Sequence, residues 1–292
     1  MRSLLFVPGD SPRKQQKGLD CGADALILDL EDSVALGAKQ EARKLTLEFL
    51  TATRSLARRP LLIVRVNALT TDMTAADLDA VMQGAPDAIM LPKAEGGVDV
   101  SHLAAQIAVR EAENDLPDGG TRIIPIATET GKSIFGLGSY AGASHRLAAL
   151  TWGAEDLSAD LGAETNRLSD GSYTDPYRLA RSMLLFAAAS AQVEAVDTVF
   201  TNFRDEAGFR AECIAARRDG FTGKMAIHPA QVPVINEIFA PAAEELARAE
   251  KIIALFAANP GLGVVGMDGE MIDRPHLVRA QRLKARADKL AQ

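Results

Sequence analysis

The sequence predicts an α/β protein, a (β/α)8 TIM barrel over residues 1–258 with a short C-terminal hairpin-plus-helix extension over 259–292. Three observations carry this expectation. Eight short apolar runs rich in β-branched residues recur along the chain, as parallel strands buried on both faces require. They alternate with longer stretches of helical periodicity, which makes each a βα unit. The length of 292 residues suits one barrel of about 250 residues with an appendage.

The predicted strands are Leu4 to Val7, Ala25 to Leu28, Leu61 to Val66, Ala88 to Leu91, Ile123 to Ala127, Leu147 to Trp152, Ala195 to Phe200 and Lys224 to Ile227. Between them lie helix signals such as Thr174, Asp175 and Pro176, which open a segment whose Ala180, Met183, Leu184 and Ala187 share one face. The longest gap follows the sixth strand. Its sequence, LSADLGAETNRLSDGSYTDPY, is polar and contains glycine, and reads as a long loop over the barrel mouth or a decorated surface loop. After the eighth strand a helix is expected from about Pro241 to Ala258, then a break at Asn259, Pro260 and Gly261. A hairpin turn at Asp268–Gly269 and a last helix carrying Leu277, Ala280, Leu283 and Leu290 complete the extension.

Composition narrows the function. The chain is 47% hydrophobic and 24% charged, enough apolar content for a sizeable core and not that of a disordered or fibrous chain. Its net charge of −7 is spread without blocks of one sign, so neither a nucleic-acid nor a membrane partner is expected. No run approaches the roughly 20 apolar residues of a membrane span. The first apolar run ends at Pro8 and Gly9, too short for a signal sequence, and Cys21 and Cys213 lack metal-ligand spacing and read as buried small hydrophobes. A cytoplasmic location is the expectation.

In a parallel barrel, chemistry sits at the C-terminal ends of the strands. The residues there are strongly polar: Asp10; Asp29, Glu31 and Asp32; Arg65 and Asn67; Lys93; Thr128 and Glu129; Glu155 and Asp156; Asn202; His228. Carboxylates converging on one mouth repel unless a cation joins them, and hard divalent ions prefer oxygen. Glu129 and Asp156, closing adjacent strands, are the candidate Mg²⁺ ligands; the alternative is that they cap helix N-termini.

Arg65 ends a very apolar strand. Its fork suits a substrate carboxylate or a developing enolate oxygen, or else pairs structurally with Asp29 or Glu31. Lys93 could form a Schiff base if its pKa were depressed, but neighbouring acids would raise it, which favours an electrostatic role. His228 is an acid–base candidate or a loop residue bonded to its neighbours. Ser11, Arg13, Lys14 and Lys17 after Gly9 form a small basic cluster that could meet a phosphate at a helix start, or be a solvated face.

Together the segments LLFVPGDSPRK, GADALILDLEDSV, LIVRVNAL, IMLPKAEG, ATETGKSIFGL, TWGAEDLSADLG, GKMAIHPAQV and GEMIDRPH resemble the HpcH/HpaI aldolase and citrate lyase family, in its branch of citrate lyase β-subunit-like and malyl-CoA or citramalyl-CoA lyases. The resemblance runs almost end to end. It implies a Mg²⁺-dependent, Schiff-base-free lyase that cleaves or forms a 3-hydroxyacyl-CoA such as malyl-, citramalyl- or citryl-CoA, giving acetyl-CoA and a 2-oxo acid. It implies Glu129 of TET and Asp156 of GAED as metal ligands, and Arg65 of VRVN as the group that binds the substrate oxygen and stabilises the enolate.

The same resemblance implies that Asp273 of the IDRP segment acts in proton transfer within the active site of a neighbouring subunit, as part of an extension packed on that subunit in a homo-oligomer, a trimer or hexamer. From the residues alone Asp273 would instead stabilise the start of the last helix, since Pro275 suits a first turn. CoA phosphates and adenine are implied near Arg13, Lys17, Ile227 and His228. The alternative within the family is a β-subunit acting on an acyl-carrier-protein thioester in a citrate lyase complex.

Overall fold

The computed structural model describes residues 1–291 and divides into two compact units, Met1–Ile238 and a second beginning at Phe239. The first runs β1 (Ser3–Pro8), α1 (Pro12–Leu19), β2 (Ala25–Asp29), α2 (Lys39–Thr53), β3 (Leu61–Arg65), α3 (Thr74–Val81), β4 (Ala88–Leu91), α4 (Gly97–Glu113), β5 (Arg122–Pro125), α5 (Gly131–Gly136), β6 (Ala149–Thr151), α6 (Ala154–Leu161), α7 (Asp175–Ala191), β7 (Glu194–Asp197), α8 (Glu206–Asp219) and β8 (Gly223–Ala226), with α9 (Gln231–Phe239) leading out. The eight strands form one parallel sheet in the order β5-β4-β3-β2-β1-β8-β7-β6. Isolated parallel bridges Ile123↔Leu147 and Ile126↔Thr151 join its two edges, which closes the TIM barrel.

All eight expected strands are present: β4 has the expected ends, the other ends lie within three residues of those expected, and the largest shift is at the end of β7, which stops at Asp197 rather than Phe200. Both strands at the seam also differ. There β5 stops at Pro125, which has no N–H to give the ladder, and β6 keeps only three residues. Beyond it the Ala127 amide still donates to Thr151, so the apolar run continues as bridge rather than strand.

Period-two alternation decides what each strand sends inward. Leu4, Ala25, Ile27, Ile63, Ala88, Met90, Ile124, Ile126, Ala149, Val196 and Met225 fill the barrel. Two residues beyond Ile27 comes Asp29, and two beyond Ile63 comes Arg65, so the same parity that builds the core delivers this pair to the mouth. The opposite parity turns Asp197 and Lys224 outward against the helices.

The segment after β6 differs from the long loop expected. Its first part is helical as α6, which ends where Gly162 adopts φ 63; the loop proper covers 162–174 and carries a bridge between Arg167 and Tyr173. Arg167 stacks on Tyr173 and ion-pairs with Glu212 of α8 at 2.8 Å, so the loop is tied to the barrel wall.

The second unit comprises α10 (Ala243–Ala258), the antiparallel pair β9 (Val264–Met267) and β10 (Glu270–Asp273), and α11 (Arg274–Ala291). Both turn residues of the hairpin take positive φ, Asp268 at 53° and Gly269 at 82°, the geometry of a type I′ turn. The expected boundary after residue 258 places α10 with the barrel, whereas the compact division places it with the extension. Ala249, Ile252 and Phe256 of α10 bury against Val265, Met267, Ile272, Leu277 and Ala280, which gives this unit its own apolar core. The last residue of the expected extension, Gln292, lies outside the described residues. Among the described residues no helix is long and apolar enough to cross a membrane.

Candidate active site

The C-terminal end of the barrel opens into a cavity of about 950 Å³. Arg65, Glu129 and Asp156 line it, and so do Lys17, Ile227 and His228; of the expected site residues in the barrel unit, Arg13 is not among the lining, and Lys14, one position on, is. Arg13 is exposed on α1. Asp273 belongs to the second unit, at the end of β10, where its carboxylate and backbone bond to His276 in the first turn of α11.

Arg65 is buried and held by the acidic segment that follows β2. Nε and Nη2 each donate to one oxygen of Asp29 at 2.7 Å, a bidentate pair, while the ring of Phe6 lies 4.9 Å below the guanidinium carbon. Nη1 sits 2.9 Å from Glu31 Oε2 as an ion contact without hydrogen-bond geometry. Structural pairing with Asp29 is thus present, and Nη1 still has donors to offer into the cavity. Burial works against charge on Asp29, but the Arg65 hydrogen bonds outweigh it and hold that carboxyl below the usual range.

Glu129 follows β5 and is almost fully buried, 3% exposed. Burial first, then the charge of Asp156, pushes its carboxyl up to about 8, against the Lys93 backbone N–H that donates to Oε2. Space for it depends on Gly153: a Cβ there would lie 2.8 Å from Glu129 Cγ, and the Gly153 amide is in turn held by Thr128 Oγ1 at 3.2 Å. Asp156 stands in the first turn of α6, so the residue expected as a metal ligand also sits where a helix start favours a carboxylate.

Lys93 follows β4 with a left-handed backbone, φ 53. Desolvation would lower its pKa, but the hydrogen bond and charge of Glu31 and the charges of Asp156 and Glu129 outweigh it and raise it. A lysine kept protonated has no free electron pair for a carbonyl, in line with an electrostatic role. His228 stacks on Phe203 at 4.9 Å, and its Nδ1 accepts from the Ala230 amide at 3.2 Å.

Among the described residues no three histidine, cysteine, aspartate or glutamate side chains gather as a metal cage. Mg²⁺ does not need one: it typically takes one or two carboxylates and leaves positions to water and substrate. Glu129 and Asp156, two mutually repelling oxygen donors that line the same cavity, fit that ion. Gly153, the Lys93 amide and the Glu31 bridge between Arg65 and Lys93 were not legible in the sequence as parts of one site. Nor was a buried network behind it, in which Trp152 Nε1 donates to Asp197 at 2.7 Å and Lys224 joins Asp197 to Glu212. Charged residues within apolar strands were the available signal.

Residues 2–229 match the HpcH/HpaI aldolase/citrate lyase family. The chain is 36% identical over 284 residues to the citrate lyase subunit beta of Leuconostoc mesenteroides subsp. cremoris, covering 97% of this chain and 91% of that protein. It is also 36% identical over 296 residues to a (3S)-malyl-CoA thioesterase of Cereibacter sphaeroides, covering 99% and 95%. The structure of CitE from Mycobacterium tuberculosis in complex with magnesium, acetoacetate and coenzyme A superposes with a TM-score of 0.75 at 34% identity, covering 98% of each chain. Identity of this degree across nearly the whole length, with the fold shared, places this chain in the HpcH/HpaI aldolase/citrate lyase family.

Proposed function

We propose that this protein is a Mg²⁺-dependent carbon–carbon lyase that cleaves a 3-hydroxyacyl-CoA of the malyl, citramalyl or citryl type into acetyl-CoA and a 2-oxo acid, or runs the reverse condensation. The observation that carries the reading is the placement of Arg65 beside the Glu129–Asp156 pair in one cavity that extends to Lys14 and Lys17. The CitE relative, bound to magnesium and coenzyme A, supports the choice of ion and thioester.

Glu129 and Asp156 would hold the Mg²⁺, which supplies Lewis-acid stabilisation of negative charge on substrate oxygens when bound. Arg65 Nη1 is free to donate to the thioester oxygen. When the bond between the α- and β-carbons breaks, its electron pair moves onto that oxygen as an enolate, and a buried, preorganised guanidinium stabilises charge there more than in the ground state. The β-hydroxyl gives up its proton to solvent in the cavity, its O–H electron pair forms the new C=O bond, and that fragment leaves as the 2-oxo acid. A proton delivered to the α-carbon completes acetyl-CoA, a step assigned by resemblance to Asp273 of a neighbouring copy in a homo-oligomer. Lys14 and Lys17 offer charge to the CoA phosphates at the outer end of the cavity.

Asp156→Ala is expected to abolish Mg²⁺-dependent release of the 2-oxo acid from these thioesters while leaving the circular-dichroism spectrum and Tm near those of the parent; undiminished turnover overturns the metal assignment. The citrate lyase subunit beta relative supports a second reading, a carrier-protein thioester as substrate within a complex. Turnover of free CoA thioesters by the purified chain decides against it.

A further inference from the structure

Four carboxylates gather on a single lysine at the barrel mouth, three of them around its ammonium. Lys93 Nζ hydrogen-bonds Glu31, lies 3.4 Å from Asp156 Oδ1 and 3.8 Å from Asp32 Oδ2, while the amide of the same residue donates to Glu129. The left-handed backbone at Lys93 is what lets one residue do both, turning the N–H toward Glu129 and the side chain toward the other three acids. The other cation here, Arg65, gives Nε and Nη2 to Asp29 and holds Nη1 in ion contact with Glu31, so it pairs with neither Asp156 nor Glu129. Among the described residues Lys93 is the one basic group within ion-pair distance of Asp156.

A cation bound through Asp156 therefore meets an ammonium already paired with that carboxylate. The charge of Lys93 offsets the repulsion that would otherwise push Asp156, Glu129 and Glu31 apart, and the same charge repels an incoming divalent ion. We propose that Lys93 is a positioning residue, a tethered cation that keeps the carboxylates assembled before Mg²⁺ binds and releases Asp156 to the ion, so that its charge weakens the affinity for Mg²⁺ while preserving the site. This rests on the reading of Glu129 and Asp156 as the ion's ligands.

The test is Lys93→Met, which keeps the side-chain length and removes the charge, measured in two ways on the full chain. Calorimetric titration with MgCl₂ is expected to show binding about tenfold tighter than in the parent, on the scale of one neighbouring charge removed. Thermal unfolding in EDTA is expected to show a lower Tm for the variant, with saturating Mg²⁺ restoring most of the loss. A role in packing alone would lower the Tm but could not tighten Mg²⁺ binding. Unchanged or weaker Mg²⁺ binding in Lys93→Met, with the parent binding normally, overturns the inference and leaves the metal site standing. A parent that takes up no Mg²⁺, or a Glu129→Gln variant that binds it as the parent does, overturns the metal reading and the inference with it. If Lys93→Met does not fold, Lys93→Gln retains a donor to Glu31 without the charge, and the same outcomes apply.

Discussion

Arg65 and Asp29 stand opposite each other at the last register position of β3 and β2, and there they close a two-bonded ion pair with both N···O distances at 2.7 Å. Strand pairing thus sets the orientation of the guanidinium before any substrate arrives. Arg65→Lys keeps a positive charge but cannot make the fork. The expected result is a fall in kcat of about 10²–10³-fold, the scale of one lost transition-state donor. Steady-state kinetics checks it, alongside a Tm measurement showing that the barrel persists.

Gly153 borders Glu129 so closely that an added Cβ would sit 2.8 Å from Cγ and 3.1 Å from Oε1. Gly153→Ala should therefore move the Glu129 carboxylate by some tenths of an ångström. A loss of about 10-fold in Mg²⁺ affinity is expected, since outer contacts that orient metal ligands are commonly worth that much. Calorimetry with Mg²⁺ reads it; an unchanged affinity would show that Glu129 does not bind the ion.

Lys224 and Asp197 are also register partners, on β8 and β7, joined at 2.8 Å with both side chains sealed from solvent. Lys224→Met leaves Asp197 with Trp152 and Arg181 but strips the charge nearest it. About 3–5 kcal/mol of destabilisation is expected, the cost of breaking a buried pair from one side. Urea unfolding followed by Trp152 fluorescence measures it, and a loss under 1 kcal/mol would contradict it.

Glu111 and Arg146 form a second buried pair, at 2.7 Å, with the Thr121 and Gly119 amides also donating to the carboxylate. Burial would raise the Glu111 pKa, but these donors outweigh it and lower it. A carboxyl whose folded pKa is depressed stabilises fully above its ordinary value, and that stability is lost as the pH falls through the folded value. Glu111→Gln should cost about 3 kcal/mol at pH 7. The gap between parent and variant in urea midpoints should shrink steadily below about pH 4. A gap independent of pH would place the effect in packing rather than charge.

The architecture was legible because a parallel barrel strand must be apolar on both faces, so Ala25 to Leu28 and Ala88 to Leu91 announce themselves with no knowledge of their neighbours. The hairpin at Asp268–Gly269 was legible for a similar reason, since its residue types suit positive φ. Glu129, Asp156 and Arg65 followed once strand ends were known. Their grouping as metal ligands and enolate donor came from family motifs, because spacing alone also allowed helix caps and structural pairs.

What the sequence by itself determined, then, is local: which runs are strands, which residues end them and which turns are tight. Tertiary structure decided the pairings across the sheet and between layers: Arg65 with Asp29, Lys93 with Glu31 and Asp156, Lys224 with Asp197 and Glu212, and α10 with α11 rather than the barrel. These joins span tens of residues, and the closure of the barrel fixes them through register, parity and burial. A charge becomes a ligand, a counter-ion or a core strut according to the neighbours that closure brings to it.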